Sequence, residues 1–90
     1  MPDTTHSKDE ILAVIRTHLS NAVDDVPAET IDPERSMKDY GANSLDIVEV
    51  VSASMRQLRI KVPRAQLKEL TNIQGLVDLL HTTEQEQKAS

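Results

Sequence analysis

The chain of 90 residues has no cysteine, no tryptophan and no phenylalanine, and Tyr40 is its only aromatic residue. Without cysteine there is no disulfide framework and no thiolate metal site, so any thiol chemistry must come from an added group. Without large rings the core must be built from Leu, Ile, Val, Ala and Met, which packed helices do readily. No long apolar run exists, which excludes a transmembrane helix. The start Met1-Pro2-Asp3 carries no signal-peptide pattern, so a cytoplasmic protein is expected. Basic residues are the minority, 10 against 15 acidic ones, for a formal net charge of -5. That balance argues against nucleic acid, which needs clustered Lys and Arg, and suits docking onto basic protein surfaces. His6, His18 and His81 lack zinc-ligand spacing, and no metal site is expected. A length of 90 residues fits one small domain of modest stability.

What is present reads as helix. Ser7 and Glu10 form a capping-box pattern. Ile11, Leu12, Val14, Ile15, His18, Leu19, Ala22 and Val23 follow at helical spacing. His18 lies on or beside that face, as a histidine bridging core and surface. Asp24 to Asn43 is a long connection with Pro27 and Pro33. Ile31 and Met37 are its expected anchors, Pro33–Ser36 a candidate single helical turn, and Tyr40 is expected to pack near the Gly41 turn. A second helix runs from about Ser44 to Leu58. Arg59-Ile60-Lys61-Val62 reads as an extended link, and Arg64 to Glu69 as a short helix begun by Pro63 with Leu67 inward. Thr71 and Gln74 form another capping-box pattern, before a last helix whose buried face is Ile73, Leu76, Val77 and Leu80. These readings predict an all-α domain over residues 7–81, with three main helices, one short helix and a long first loop. Residues 1–6 and 82–90 are expected to be flexible tails.

The second helix has too many apolar residues for one stripe. Ile47, Val50, Val51, Ser54 and Leu58 make an inward face. Leu45, Val48, Ser52 and Met55 fall on another side, beside Asp46 and Glu49. Such a row flanked by acids suits partner docking, and the structural alternative is a helix buried on two sides. Ahead of it stands Gly41-Ala42-Asn43-Ser44-Leu45-Asp46. Gly41 can take positive φ and turn the chain. Asn43 and Ser44 are both good N-cap types. Ser44 can therefore be a cap, or can hold a phosphate at the positive end of the helix.

The wider string Asp39-Tyr40-Gly41-Ala42-Asn43-Ser44-Leu45-Asp46, with Val48-Glu49 beyond, resembles the D-x-G-x-D-S-L-D-x-V-E signature of acyl carrier proteins. The match runs on through Ile60-Lys61-Val62-Pro63 and Thr71-Asn72-Ile73-Gln74, over about residues 8–81. The family's aspartate before the serine is Asn43 here, one charge fewer beside the attachment point. The resemblance implies that Ser44 carries 4′-phosphopantetheine, attached by a phosphopantetheinyl transferase from coenzyme A with Mg²⁺. The arm would end in a thiol about 18–20 Å away when extended. It also implies a monomeric carrier with no catalytic residues, and no nucleophile–base pair is evident in the chain.

The full string from Gly41 to Ser52, with Arg59-Ile60-Lys61-Val62-Pro63-Arg64 after it, is most similar to the free-standing donor carriers of polyketide β-branching. The implied partners are a hydroxymethylglutaryl-synthase-like enzyme and acyl-loading enzymes, an acyltransferase and a decarboxylating ketosynthase-like protein. The basic run Arg56, Arg59, Lys61, Arg64 and Lys68 fits such a specialised partner set, with Arg59 and Arg64 as docking positions. It also fits a dipole-favourable helix end. A fatty-acid or other polyketide carrier, a peptidyl carrier and a helical interaction module are the other readings of the residues.

Overall fold

The computed structural model describes residues 6–63, 66 and 72–89. Among them are three α-helices and no strand: α1 (Lys8–Ala22), α2 (Ser44–Leu58) and α3 (Ile73–Ala89). Ser7 caps α1, its hydroxyl accepting from the Glu10 N–H at 3.2 Å. Ile11, Ile15 and Leu19 recur at four-residue intervals and are fully buried. This stripe packs on both α2 and α3. It meets Val50, Val51 and Leu58 from α2, and Ile73, Leu76, Val77 and Leu80 from α3. Each such side chain contributes about 1.5–3 kcal/mol on burial, enough for an aliphatic core without rings. His18 bridges core and surface as read, its Nε2 lying 2.8 Å from Gln57 Oε1. No helix among the described residues is long and apolar enough to cross a membrane.

The connection between α1 and α2 is packed down. Ile31 and Met37 are its buried anchors, as the sequence indicated. Arg16 Nε donates to the Ile31 carbonyl at 3.0 Å, and Ser20 Oγ to the Val26 carbonyl at 2.6 Å. The Tyr40 hydroxyl accepts from the Asp32 N–H at 2.6 Å, which closes the loop on itself. The loop also finishes α3: the Pro33 and Arg35 carbonyls accept from the Gln74 and Ile73 N–H groups at 2.7 and 3.0 Å. Two helix-end donors that would otherwise lack partners are thereby satisfied.

Several expectations are refined. Pro33–Ser36 holds one hydrogen-bonded turn, the Arg35 N–H donating to the Asp32 carbonyl at 3.0 Å, and it is followed by a 3₁₀ turn at Met37–Tyr40. Ser36 and Asp39 form a reciprocal cap there and fix its start. A second 3₁₀ turn spans Ala28–Thr30. The cap of α3 is Asn72, whose Oδ1 accepts from the Gly75 N–H at 2.7 Å, while Thr71 lies outside the described residues. The polar segment expected to fray from Thr82 is helical to Ala89. Its Glu84 is 1% exposed, and its carboxylate takes both the His6 backbone N–H and, at 2.7 Å, His6 Nδ1. His6, placed in a loose N-terminus by the sequence, thus pairs with the end of the last helix. The short helix expected over Arg64–Glu69 falls outside the described residues apart from Gln66. The Gln66 N–H donates to the Pro63 carbonyl at 3.1 Å.

Candidate attachment and docking site on helix α2

Gly41 turns the chain into the site. It ends the 3₁₀ turn at φ 92° and ψ 6°, in the left-handed region that glycine enters without steric cost. Its N–H donates to the Lys38 carbonyl at 3.0 Å, and the Ala42 N–H to the Met37 carbonyl at 3.3 Å. Ala42 is buried, which presses the incoming strand of chain onto the core. Asn43 is then extended and caps α2: its Oδ1 accepts from the Asp46 N–H at 2.8 Å. Asp46 Oδ2 accepts in return from the Asn43 N–H at 3.1 Å.

This reciprocal box decides between the two cap candidates. The cap is Asn43, and Ser44 is the first helical residue, exposed and without a capping role. The N–H groups of Ser44 and Leu45 have no carbonyl one turn back to bond. Ser44 therefore presents a hydroxyl beside free donors at the positive end of a helix of 15 residues. A phosphodiester fits this position, since both the donors and the dipole favour an anion. Asp46 was read only as a docking residue. It is half-buried and also locks the turn that holds Ser44. The signal for this was present in the three-residue spacing of Asn43 and Asp46.

The rest of the expected docking row divides along the helix. Leu45 is 79% exposed and Val48 55%, the large apolar residues that stand out in solvent among the described residues. Glu49 is exposed beside them. Ser52 is half-buried, and Met55 is half-buried with its side chain packed against the core. Ile47, read as inward, is also half-buried and core-packed. Arg59 is exposed just past the helix, and Arg64 lies outside the described residues. A helix buried on two sides is thus excluded for the first half of α2.

Residues 13–80 match the family described as the phosphopantetheine attachment site. The chain belongs to the acyl carrier protein family. An acyl carrier protein of Acidothermus cellulolyticus is 32% identical over 75 residues, spanning 82% of this chain and 88% of the relative. The polyketide biosynthesis acyl carrier protein AcpK of Bacillus subtilis is 27% identical over 74 residues, 82% of this chain and 90% of the relative. A methylphloroacetophenone synthase of Cladonia uncialis is 37% identical over 57 residues. This carrier spans only 2% of that enzyme's length. Members of the family are carriers and not catalysts, and their cofactor is covalent 4′-phosphopantetheine.

Proposed function

We propose that Ser44 is the attachment point of phosphopantetheine, and that the chain is the donor carrier of an acetyl group in polyketide β-branching. The observation that carries the first part is the exposed Ser44 hydroxyl at the first position of α2, released from capping by Asn43. Within the transferase, Ser44 Oγ would attack the phosphopantetheine-side phosphorus of coenzyme A's pyrophosphate, giving up its proton to a base of the transferase; the new P–O bond forms as the pyrophosphate P–O bond breaks, and adenosine 3′,5′-bisphosphate leaves. Asn43 and Asp46 hold the turn, and the helix end favours the phosphodiester formed. The bound group supplies a terminal thiol on which an acyl group is held as a thioester. The tether raises the effective concentration of that group at a docked enzyme.

Leu45, Val48 and Glu49, with Asp46 behind them and Ser52 and Met55 further along, form the surface that partners approach. Exposed apolar residues within one helical turn of the acyl arm support this role. The donor reading is supported by the string Gly41 to Ser52, by the basic run after α2, and by the likeness to a polyketide carrier. Its partners would be a hydroxymethylglutaryl-synthase-like enzyme that takes the acetyl group, and the acyltransferase and decarboxylating ketosynthase-like protein that load it.

Two measurements test the reading. Intact mass after incubation with coenzyme A and a phosphopantetheinyl transferase should show one adduct, absent from Ser44→Ala; an adduct of normal yield on that variant removes Ser44 from the role. Acetyl transfer from the loaded protein to the synthase-like enzyme of its own cluster should exceed transfer from a fatty-acid carrier. Equal transfer from both would leave only the general carrier function.

A further inference from the structure

Beyond Ser44, the far end of α2 carries a second, chemically different surface. A groove of about 520 Å³ opens between the last turns of α2 and the segment that follows it. Its floor is apolar, made by Met55, Ile60 and Val62. Its rim is cationic, made by Arg56, Arg59 and Lys61, all three exposed. Among the described residues no carboxylate lies within ion-pair distance of any of the three. Arg56, Arg59, Lys61, Arg64 and Lys68 make up half of the 10 basic residues of an acidic chain. The opposite end of the same helix presents Asp46 and Glu49 with Leu45 and Val48. Helix α2 is therefore bipolar along its length.

Arg59 adds an independent observation. It ends α2 in the left-handed conformation, φ 60° and ψ 43°, and both its own N–H and that of Ile60 donate to the Met55 carbonyl. Glycine is the residue that takes this place without steric cost. An arginine there is strained, and neither its packing nor an intramolecular ion pair among the described residues offsets this. A strained residue that carries an exposed charge points to a use outside the domain.

We infer that this groove docks an acidic, amphipathic helical segment of a partner protein, with an apolar side chain seated over Met55, Ile60 and Val62 and its carboxylates on the Arg56–Lys61 rim. Charge complementarity selects this occupant. A basic segment is repelled by the rim, and a neutral one leaves three cations unused. The inference deepens the carrier reading, because it assigns the chemistry of the partner face that approaches the end of α2 away from Ser44. At 1.5 Å per residue, Arg56 lies about 18 Å along the helix from Ser44. A partner held at the groove keeps its active site within reach of the arm.

The test uses the full chain in its phosphopantetheinylated form and two labelled synthetic peptides. Both have leucines at helical spacing; one is flanked by glutamates and the other by lysines. The glutamate peptide should bind and the lysine peptide should not. Amide shifts in an ¹⁵N spectrum should centre on Met55, Arg59, Ile60 and Lys61. Arg56→Glu/Arg59→Glu/Lys61→Glu should weaken binding at least tenfold and remove its salt dependence. Arg59→Gln/Lys61→Gln, gentler on the fold, should weaken it about threefold with an unchanged circular dichroism spectrum. Equal binding of the lysine peptide, or shifts centred on Leu45 and Val48, would overturn the proposal. So would equally strong binding to phosphatidylglycerol vesicles, or concentration-dependent self-association that competes with the peptide. Ser44→Ala must bind the glutamate peptide normally while failing to load, which separates failure of the groove from failure of the carrier reading.

Discussion

Asn43 takes the cap of α2 and leaves the Ser44 oxygen unengaged, as the proposed attachment requires. A capping serine has its oxygen engaged by the backbone, whereas a nucleophile needs its oxygen free. Because Asn43 accepts from the Asp46 N–H, Ser44→Ala should change stability by less than about 0.5 kcal/mol, as for exposed sites without special contacts. Asn43→Ala should cost about 1 kcal/mol, the usual value of a lost cap. Urea unfolding of the two variants checks the contrast. Asparagine caps as well as aspartate does, so the departure from the family signature removes a charge beside Ser44 without weakening the turn. Ser54 is the opposite case. It is fully buried on α2, and its hydroxyl has no hydrogen-bond partner. Leaving such a group unpaired costs about 1–3 kcal/mol. Ser54→Ala should therefore be stabilising, seen as a higher midpoint of thermal unfolding.

At the scale of the element, α2 does three things in 15 residues. Its inward stripe holds the core, its first turns hold Leu45 and Val48 in solvent and its end carries charge. Val48→Asp should leave the far-ultraviolet circular dichroism unchanged and reduce acyl transfer, because Val48 stands in solvent. A large loss of stability instead would return Val48 to the core. Arg59→Gly should stabilise the domain by about 0.5–1 kcal/mol, since glycine relieves the left-handed strain, yet it should bind the acidic peptide less well. The helices were largely legible in the sequence because their periodicity is local. Ser7, Ile11, Ile15 and Leu19 announce α1, and Ile73, Leu76, Val77 and Leu80 announce α3. The cap at α2 stayed open because Asn43 and Ser44 share the propensity; the acid three residues after Asn43, which Ser44 lacks, is the signal that separates them.

Across the whole molecule, the contacts that sequence reading missed are those between distant positions. Thr82 to Ser90 looks like a solvated tail, yet Glu84 is buried because His6, 78 positions away, supplies its partner. No spacing rule reports such a pair. His6→Ala should cost about 1–3 kcal/mol by leaving a buried acceptor short of a donor, and removal of residues 1–6 should cost more, because the backbone donor goes too. Either is measurable by chemical denaturation. Lys8 and Asp78 make a lesser link between α1 and α3, at 3.0 Å and half exposed. Hydrogen bonds from Lys8 and then Gln74 hold the Asp78 carboxyl below its ordinary range. The folded value being the lower one, this contribution is present above the ordinary carboxylate pKa and is lost as pH falls through the folded value. Solvent screens it to less than about 1 kcal/mol. Lys8→Met should therefore be slightly less stable than the parent at neutral pH and indistinguishable from it in strong acid.

The hydrogen bond from the Asp32 N–H to the Tyr40 hydroxyl has an optical consequence. With no tryptophan and no phenylalanine, Tyr40 is the only side chain of the chain that absorbs appreciably in the near ultraviolet. It stands four positions before Ser44 and is held by the turn that presents it. The near-ultraviolet dichroism and the intrinsic fluorescence of the folded protein therefore come from one place, the junction of the long loop with α2. The proposed attachment at Ser44 and the proposed docking over Leu45 can both be tested there without a label.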